Sequence, residues 1–500
     1  ILIYIFLLIA FFIFKNLYLL FSIYQINKFV INFQNRISEL SYSKNINMDY
    51  SFFLNNETSE IIKNQTQEIN RTALSLFTFI NLIGDSAIFI CIAILLLFID
   101  FQITIYLIAG LVFIMFIYFF LVKKRLLFWG KIISNSYKEI TDNLLQIFSN
   151  IKYVKLINLN NLFIKDYIQN YKNYTAHLLK NKIISQTPKL WLEIIAIGIV
   201  CIILLNSFYT QNINDVIALI GLLSFALTKL IPTIYRLISG YQLLLFQNSA
   251  LDNIFEINNT ENFYVQKGIK EEKQKFFTKL KINNVSFYYS KNKQVLENIN
   301  LELSNNEKIA ILGPSGSGKS TLLDLMTGLL KPKTGNIEIL FDNKSLGNDQ
   351  FEYFKNKTSY VCQSSNLFNG NAIFNITFSN HDQVNKKLLN EISDLLDIRE
   401  LLSGYQDKKI GEFGSNISGG QKQKISLARA LYRKPQVLIL DEATSALDEE
   451  TEMSILKKIY KLNLTIIHVT HNKSLLDIVD KYFDLSKKVL INNEISNNKR

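Results

Sequence analysis

The sequence predicts a multi-domain fold: an all-α transmembrane helical bundle over residues 1–255, a linker at 256–278, and an α/β domain over 279–500. Three observations carry this prediction. Long apolar runs crowd the first half of the chain. Strand-like and helix-like segments alternate in the second half. The run Gly313-Pro314-Ser315-Gly316-Ser317-Gly318-Lys319-Ser320 stands between an apolar strand and a helix, which is the setting a phosphate-binding loop requires.

The helical bundle comes first. The 500 residues are 49% hydrophobic, with mean hydropathy +0.14, and the excess lies in runs rather than spread evenly. Five segments read as membrane spans: Ile1–Tyr24, Ile83–Phe98, Ile103–Leu121, Leu190–Leu205 and Val216–Leu237. A span needs roughly 20 apolar residues, or a few less with tilt and flanking anchors. The second and third are joined by Ile99-Asp100-Phe101-Gln102, a tight helical hairpin, and the fourth and fifth by Asn206–Asp215, which contains no Lys or Arg. Lys123–Lys189 carries 12 Lys and Arg against 3 acids, so that stretch is expected in the cytoplasm and the short loops outside. Gln25–Phe79 is then cytoplasmic as well, and its helical spacing extends the spans inward. Five spans and a cytoplasmic C-terminal domain would leave Ile1 outside. The bundle is therefore expected to be N-terminally truncated, with about five of six spans present.

Charge and cysteines exclude other classes. The net charge of +12 and pI of about 9.2 could signal nucleic acid, but five spans with basic loops account for them, and no nucleic-acid partner is expected. Cys91, Cys201 and Cys362 have neither disulfide nor metal-ligand spacing and read as free thiols. The sequons at Asn56, Asn64 and Asn70 lie in a loop placed inside the cell and are expected to be unused.

The second domain reads as strand Leu280–Tyr289, strand Lys308–Leu312, helix Thr321–Leu330, and strands Ser359–Val361, Val437–Leu440 and Thr465–Val469, an α/β pattern with a parallel sheet. In the glycine-rich run, backbone N–H groups can turn onto phosphate oxygens at a helix N-terminus. Lys319 then reaches the β- and γ-phosphates and the Ser320 hydroxyl binds Mg²⁺. Val437-Leu-Ile-Leu-Asp441-Glu442 is a buried strand delivering two carboxylates at its C-terminal end, Asp441 for Mg²⁺ and Glu442 as general base for water. Ile417-Ser418-Gly419-Gly420-Gln421 precedes a basic helix and offers a second anion-binding N-terminus. Since the phosphates already have a cradle at Lys319, a second cradle points to ATP held between two copies of the chain.

These motifs, in this order, resemble the nucleotide-binding domain of ABC transporters, an α/β P-loop NTPase of ABC type. The spans preceding it resemble an exporter half-transporter, and the resemblance covers essentially the whole chain. It implies an ATPase coupled to transport, with ATP and Mg²⁺ as cofactors. The ATP-contacting run extends from Gly313 to Thr321. Tyr289 matches the aromatic residue that stacks on adenine, and Gln363 the glutamine that contacts Mg²⁺ and senses the membrane domain. Ser418, Gly419, Gly420 and Gln421 match the signature that closes on the partner's ATP. Ser445-Ala-Leu-Asp448 match the loop coupling the two sites, and His471 the switch histidine at the γ-phosphate. His468 reads as structural. Ile417, Cys362, Asn472 and Phe413 depart from the commonest residues at their positions, yet none removes a catalytic group. Tyr50–Ile61 and Ile151–Phe163 resemble the turns of the two intracellular loops that press on nucleotide domains. Pro188–Glu193 and Leu227–Ser239 are similar to the subgroup containing the lipid-linked oligosaccharide flippases. The resemblance thus implies a homodimer in the cytoplasmic membrane, its nucleotide-binding domain in the cytoplasm, exporting or flipping a lipid, lipid-linked saccharide or amphipathic substrate by alternating access. A multidrug or peptide exporter and an ATP-gated regulator or channel are the alternatives. Asp85 and Glu193, at the edges of apolar runs, are read as lying on helix extensions in water, with contact to a polar headgroup as the alternative.

Overall fold

The computed structural model describes residues 2–99, 101–210, 213–259, 275–290, 293–379, 383–405, 408–411 and 414–492. The chain divides into two units, Ile1–Val265 and Gln266–Arg500. Of the expected linker, 260–274 lies outside the described residues, as do Glu412 and Phe413.

The first unit is helical. Its elements are α1 (Leu2–Ile46), α2 (Tyr50–Asn55), α3 (Thr58–Lys63), a π-helical turn (Asn64–Glu68), α4 (Ile69–Ile99), α5 (Phe101–Ser149), α6 (Ile151–Leu156), α7 (Asn160–Thr210) and α8 (Ile213–Asn259). Each of the five apolar segments falls within one long helix. By length and composition, Leu2–Ile46 and Thr58–Phe98 are long and apolar enough to cross a membrane among the described residues. The hairpin between α4 and α5 is as tight as its sequence suggests, and Thr104 Oγ1 donates to Leu96 O across it at 2.9 Å. The expected outer loop Asn206–Asp215 is shorter than its polarity indicated, because α7 continues to Thr210 and α8 begins at Ile213. Backbone hydrogen bonding carries a helix past the end of its apolar run.

Two kinds of contact hold this unit. Leu96, Leu192, Leu230, Ile234 and Ile238 form its apolar core. The second is a buried polar knot around Arg71. Arg71 donates to Glu68 at 3.1 Å, to Gln247 Oε1 at 2.5 Å and to Phe246 O at 3.0 Å. Ser134 Oγ donates to Glu68 Oε1 at 2.6 Å. One cation thereby ties α4, α5 and α8. Removing one member of such a buried pair typically costs about 3–5 kcal/mol. Gly130 allows this closeness: a Cβ there would lie 2.2 Å from Phe246 O.

The second unit contains two sheets. β1 (Phe277–Ser290), β2 (Lys293–Ser304), β4 (Thr334–Phe341) and β5 (Lys344–Ser345) form an antiparallel sheet in the order β2-β1-β4-β5. β3 (Lys308–Leu312), β6 (Thr358–Val361), β7 (Val437–Asp441), β8 (Thr465–Val469), β9 (Lys481–Asp484) and β10 (Val489–Asn492) form the other, in the order β10-β9-β3-β8-β7-β6. The segment Leu280–Tyr289 was expected in a parallel sheet and instead belongs to the antiparallel one, paired with β2 and β4. Only two residues separate β1 from β2, too few for the crossover a parallel pair needs. The helices are α9 (Lys319–Met326), α10 (Gln350–Lys357), α11 (Ala372–Thr377), α12 (Lys386–Leu395), α13 (Arg399–Gly404), α14 (Gly419–Tyr432) and α15 (Glu449–Tyr460).

The parallel sheet is buried on both faces. Ile309, Ile311, Val437, Ile439, Ile467 and Val469 enter one core, and Ala310, Leu438, Leu440 and Ile466 enter the other. The alternation follows from the two-residue period of a strand, and each fully buried aliphatic chain contributes roughly 1.5–3 kcal/mol. His468 shares the second face and bonds through Nδ1 to the Tyr460 hydroxyl at 2.9 Å, in agreement with its structural reading. Burial pushes its pKa down to about 4. Its unfolded value is near 6.5, so the unfolded chain takes up the proton first. The stability His468 contributes is present above about pH 6.5 and is lost as pH falls toward about 4. Thermal unfolding followed from pH 7.5 to pH 4.5 should show a fall in midpoint, and His468→Gln, which cannot titrate, should flatten it. An unchanged slope in that variant would remove His468 as the cause.

Candidate nucleotide site

Strands β3, β7 and β8 lie side by side, and their C-terminal ends deliver the functional residues to one edge. β3 leads into the glycine-rich loop, which ends in α9. The N-cap of α9 is Gly318 at φ +95°, and no side chain caps this helix. Its first-turn N–H groups therefore face the loop without a side-chain acceptor, the arrangement that favours an anion. A Cβ at Gly318 would meet Leu296 at 2.9 Å in addition to the unfavourable φ. Within the loop Ser317 Oγ is buried with no hydrogen-bond partner. The residues present fit a polyphosphate: unshared donors turn inward around a buried ammonium.

That ammonium is Lys319, 6% exposed. It donates to Gly313 O at 2.8 Å and Pro314 O at 3.1 Å. It also lies 3.3 Å from His471 Nε2 and 4.0 Å from Glu442 Oε1. His471 Nε2 is 2.7 Å from Glu442 Oε1. Lys319, more than a hundred positions before Glu442 and His471, thus forms one triangle with them. Glu442 has φ +49°, a costly conformation for a non-glycine residue. Its N–H donates to Val469 O at 3.0 Å, which holds the turn and aims the carboxylate at Lys319.

Asp441, at the end of β7, is 7% exposed. Its Oδ2 lies 3.3 Å from Ser320 Oγ and accepts from the Tyr360 hydroxyl at 2.8 Å. Adjacent oxygens on an octahedral Mg²⁺ lie about 2.9 Å apart, so Ser320 and Asp441 fit neighbouring ligand positions. Gln363 is not bonded to this pair; its Nε2 donates to Glu442 Oε2 at 2.5 Å. Tyr289 lies half-exposed above α9, its hydroxyl 3.2 Å from Thr321 Oγ1 and its ring edge-on to Phe287.

Residues 296–445 match the family described as ABC transporter. This part of the chain is an ABC transporter ATP-binding domain. It is 31% identical over 328 residues to the Lactococcin-G-processing and transport ATP-binding protein LagD of Lactococcus lactis, covering 64% of this chain and 45% of that protein. It is 36% identical over 252 residues to the Multidrug resistance-like ATP-binding protein MdlA of Buchnera aphidicola, covering 49% and 42%. The matches span between 27% and 60% of the length of these curated relatives. Its fold is that of a bacterial Atm1-family ABC exporter solved with ATP bound, with TM-score 0.79 at 19% identity, covering 93% of this chain and 83% of the other.

In this domain the signature is built differently from the P-loop. Ser418 and Gln421 form a reciprocal capping box at the start of α14, with Ser418 N donating to Gln421 Oε1 at 2.9 Å and Gln421 N to Ser418 Oγ at 3.2 Å. Among the described residues no hydrogen bond joins it to the P-loop. Gly420 brings it against Leu447, whose Cδ2 would lie 3.2 Å from a Cβ there. Asp448 caps α15 by accepting from Thr451 N at 2.9 Å, and hydrogen bonds from the Thr451 side chain and then its backbone hold the carboxyl below the usual range.

Sequence reasoning missed three residues at this site. Tyr360 braces Asp441, and burial together with that carboxylate pushes its phenol well above the ordinary range. Asp324, one turn along α9, is pushed up to about 6 by burial and by Asp441. Gln423 is 3% exposed and bonds the Ser445–Asp448 loop through Ala446 N at 2.9 Å. The motif Tyr360-Val-Cys-Gln363 was a signal for Tyr360; the other two lie on ordinary helical positions. Lys319→Ala should lower ATP hydrolysis by at least about a hundredfold, the scale of losing one charge-stabilising donor. Hydrolysis within threefold of the parent would sink the cradle assignment.

Proposed function

We propose that this chain is one half of an ATP-driven exporter that moves an amphipathic, lipid-class substrate out of the cytoplasmic leaflet. The observation supporting it most strongly is the convergence of Lys319, Glu442 and His471 beside the Ser320–Asp441 pair, on a chain whose other unit is made of long apolar helices. The ATPase reading follows from roles these residues can perform. Lys319 and the α9 N-terminus hold phosphate oxygens. Ser320 and Asp441, joined by Gln363 once it leaves Glu442, would hold Mg²⁺, which would neutralise charge on the phosphates. Glu442 accepts the proton of the attacking water. His471 holds the Glu442 carboxylate and the γ-phosphate in register, and Tyr289 stacks on the base.

The capped signature helix supports a homodimer. With no bond to its own P-loop, the Ser418–Gln421 terminus is available to a second copy, so each ATP would be enclosed by two chains. Closure of the two nucleotide units then reorients the helical units, and hydrolysis resets them. The lipid-linked saccharide within this substrate class rests on the resemblance of Pro188–Glu193 and Leu227–Ser239 alone.

Glu442→Gln should keep nucleotide binding, lose hydrolysis by at least about a hundredfold, and accumulate a closed dimer visible by size-exclusion chromatography with ATP. Normal turnover would remove Glu442 as the base. In proteoliposomes the parent chain should move fluorescent lipids or a polyprenyl-linked saccharide between leaflets only with ATP. Movement confined to water-soluble peptides or small cationic drugs would replace the lipid-class reading with one of those.

A further inference from the structure

A cavity of about 620 Å³ opens among α1, α4, α7 and α8 of the helical unit. Its size suits a small ligand or a headgroup. Most of its wall is apolar, but Asp85 on α4 and Arg236 on α8 meet across it, with Arg236 Nε donating to Asp85 Oδ1 at 2.7 Å. Asn181 and Ser185 of α7 line it as well. Asp85 stands at the start of one apolar run and Arg236 at the end of another, the ends that loop charge places on the cytoplasmic side. The pair therefore sits at the depth of the inner-leaflet headgroups. Charged groups at that depth in a helical bundle mark a ligand path more often than a fold requirement.

Gln242 supplies an independent pointer. It is 1% exposed and borders the cavity. The Tyr118 hydroxyl donates to Ile184 O at 2.9 Å and so accepts from Gln242 Nε2 at 2.7 Å. That fixes the amide with its oxygen on the other side. Gln242 Oε1 is buried and has no hydrogen-bond partner among the described residues. A buried acceptor left unpaired costs about 1–3 kcal/mol, a cost that an incoming N–H donor would relieve.

We propose that this cavity is a headgroup site for a lipid carrying a primary ammonium beside a phosphate. The proposal rests on the lipid-class exporter reading and specifies its substrate. The phosphate takes Arg236 in the bidentate manner guanidinium favours. The ammonium takes Asp85 and Gln242 Oε1, both acceptors. Each charge of the resident pair exchanges its partner, and the site stays neutral. A purely anionic headgroup takes Arg236 and leaves the half-buried Asp85 carboxylate without a counter-charge, which is disfavoured. A quaternary ammonium has no N–H to give Gln242 or Asp85. The expected order is therefore phosphatidylethanolamine above phosphatidylcholine, and both above phosphatidylglycerol.

The test is native mass spectrometry of the purified full chain exchanged into an equimolar mixture of these three lipids, with free phosphoethanolamine as a separate arm. Bound phosphatidylethanolamine should exceed phosphatidylglycerol by about tenfold, one good charge-assisted contact. Asp85→Asn and Gln242→Leu should erase the preference over phosphatidylcholine, and Arg236→Gln should weaken all phospholipids. The double exchange Asp85→Arg with Arg236→Asp restores a neutral pair and should recover part of the selectivity, which guards against misfolding of the single variants. Competition by free phosphoethanolamine at the same concentration as the lipid would reassign the source to a soluble zwitterion and overturn the lipid form. Equal binding of all three lipids, or selectivity unchanged in the variants, would overturn the site. Either failure leaves ATP-driven transport measurable separately, so loss of this proposal and loss of the exporter reading are distinguishable.

Discussion

Parallel pairing of β3, β8 and β7 is the constraint on which the nucleotide site depends. Adjacent parallel strands end on the same edge, so loops following them converge there whatever their distance in sequence. Ala310 pairs with His468, and Leu440 with the same residue on the other side. A slip of one residue would turn every apolar side chain to the wrong face. The two cores therefore hold the register, and the register holds Lys319 within reach of Glu442 and His471. The strained backbone at Glu442 is tolerable only in that frame, where the Val469 carbonyl fixes its N–H.

The helical unit solves a related problem with different chemistry. Its apolar core cannot by itself specify how long helices align, since many sliding arrangements bury similar area. The knot around Arg71 is directional. It fixes α4 against α5 and α8 through geometry that few registers satisfy, and the close approach at Gly130 depends on it. The Asp85–Arg236 pair differs from that knot. Its guanidinium is about half exposed, with 47% of the side chain accessible, and it borders open space rather than packed backbone. A charge pair that is not fully enclosed is free to change partners, which is the property a binding group needs.

Much of this was legible in the residues alone. The glycine-rich loop, the carboxylates at the end of β7 and His471 are recognisable because the chemistry proposed for them requires particular side chains at fixed local spacings. The long helices were legible because a bilayer demands a length of apolar chain. The antiparallel sheet was misread, since alternation identifies a strand but not its partner. Asp324 and Gln423 were invisible because nothing in their neighbourhoods distinguishes them from ordinary helix positions.

The sequence by itself determined which groups are the candidates to handle phosphate and where apolar helices lie, because those properties belong to short contiguous stretches. Only the tertiary structure decided that Gln363 bonds Glu442, that Gln423 ties the signature helix to the Ser445–Asp448 loop, and that Asp85 meets Arg236. The physical reason is separation: Asp85 and Arg236 are 151 positions apart. A contact across such a distance is set by how helices pack, not by the residues on either side of it.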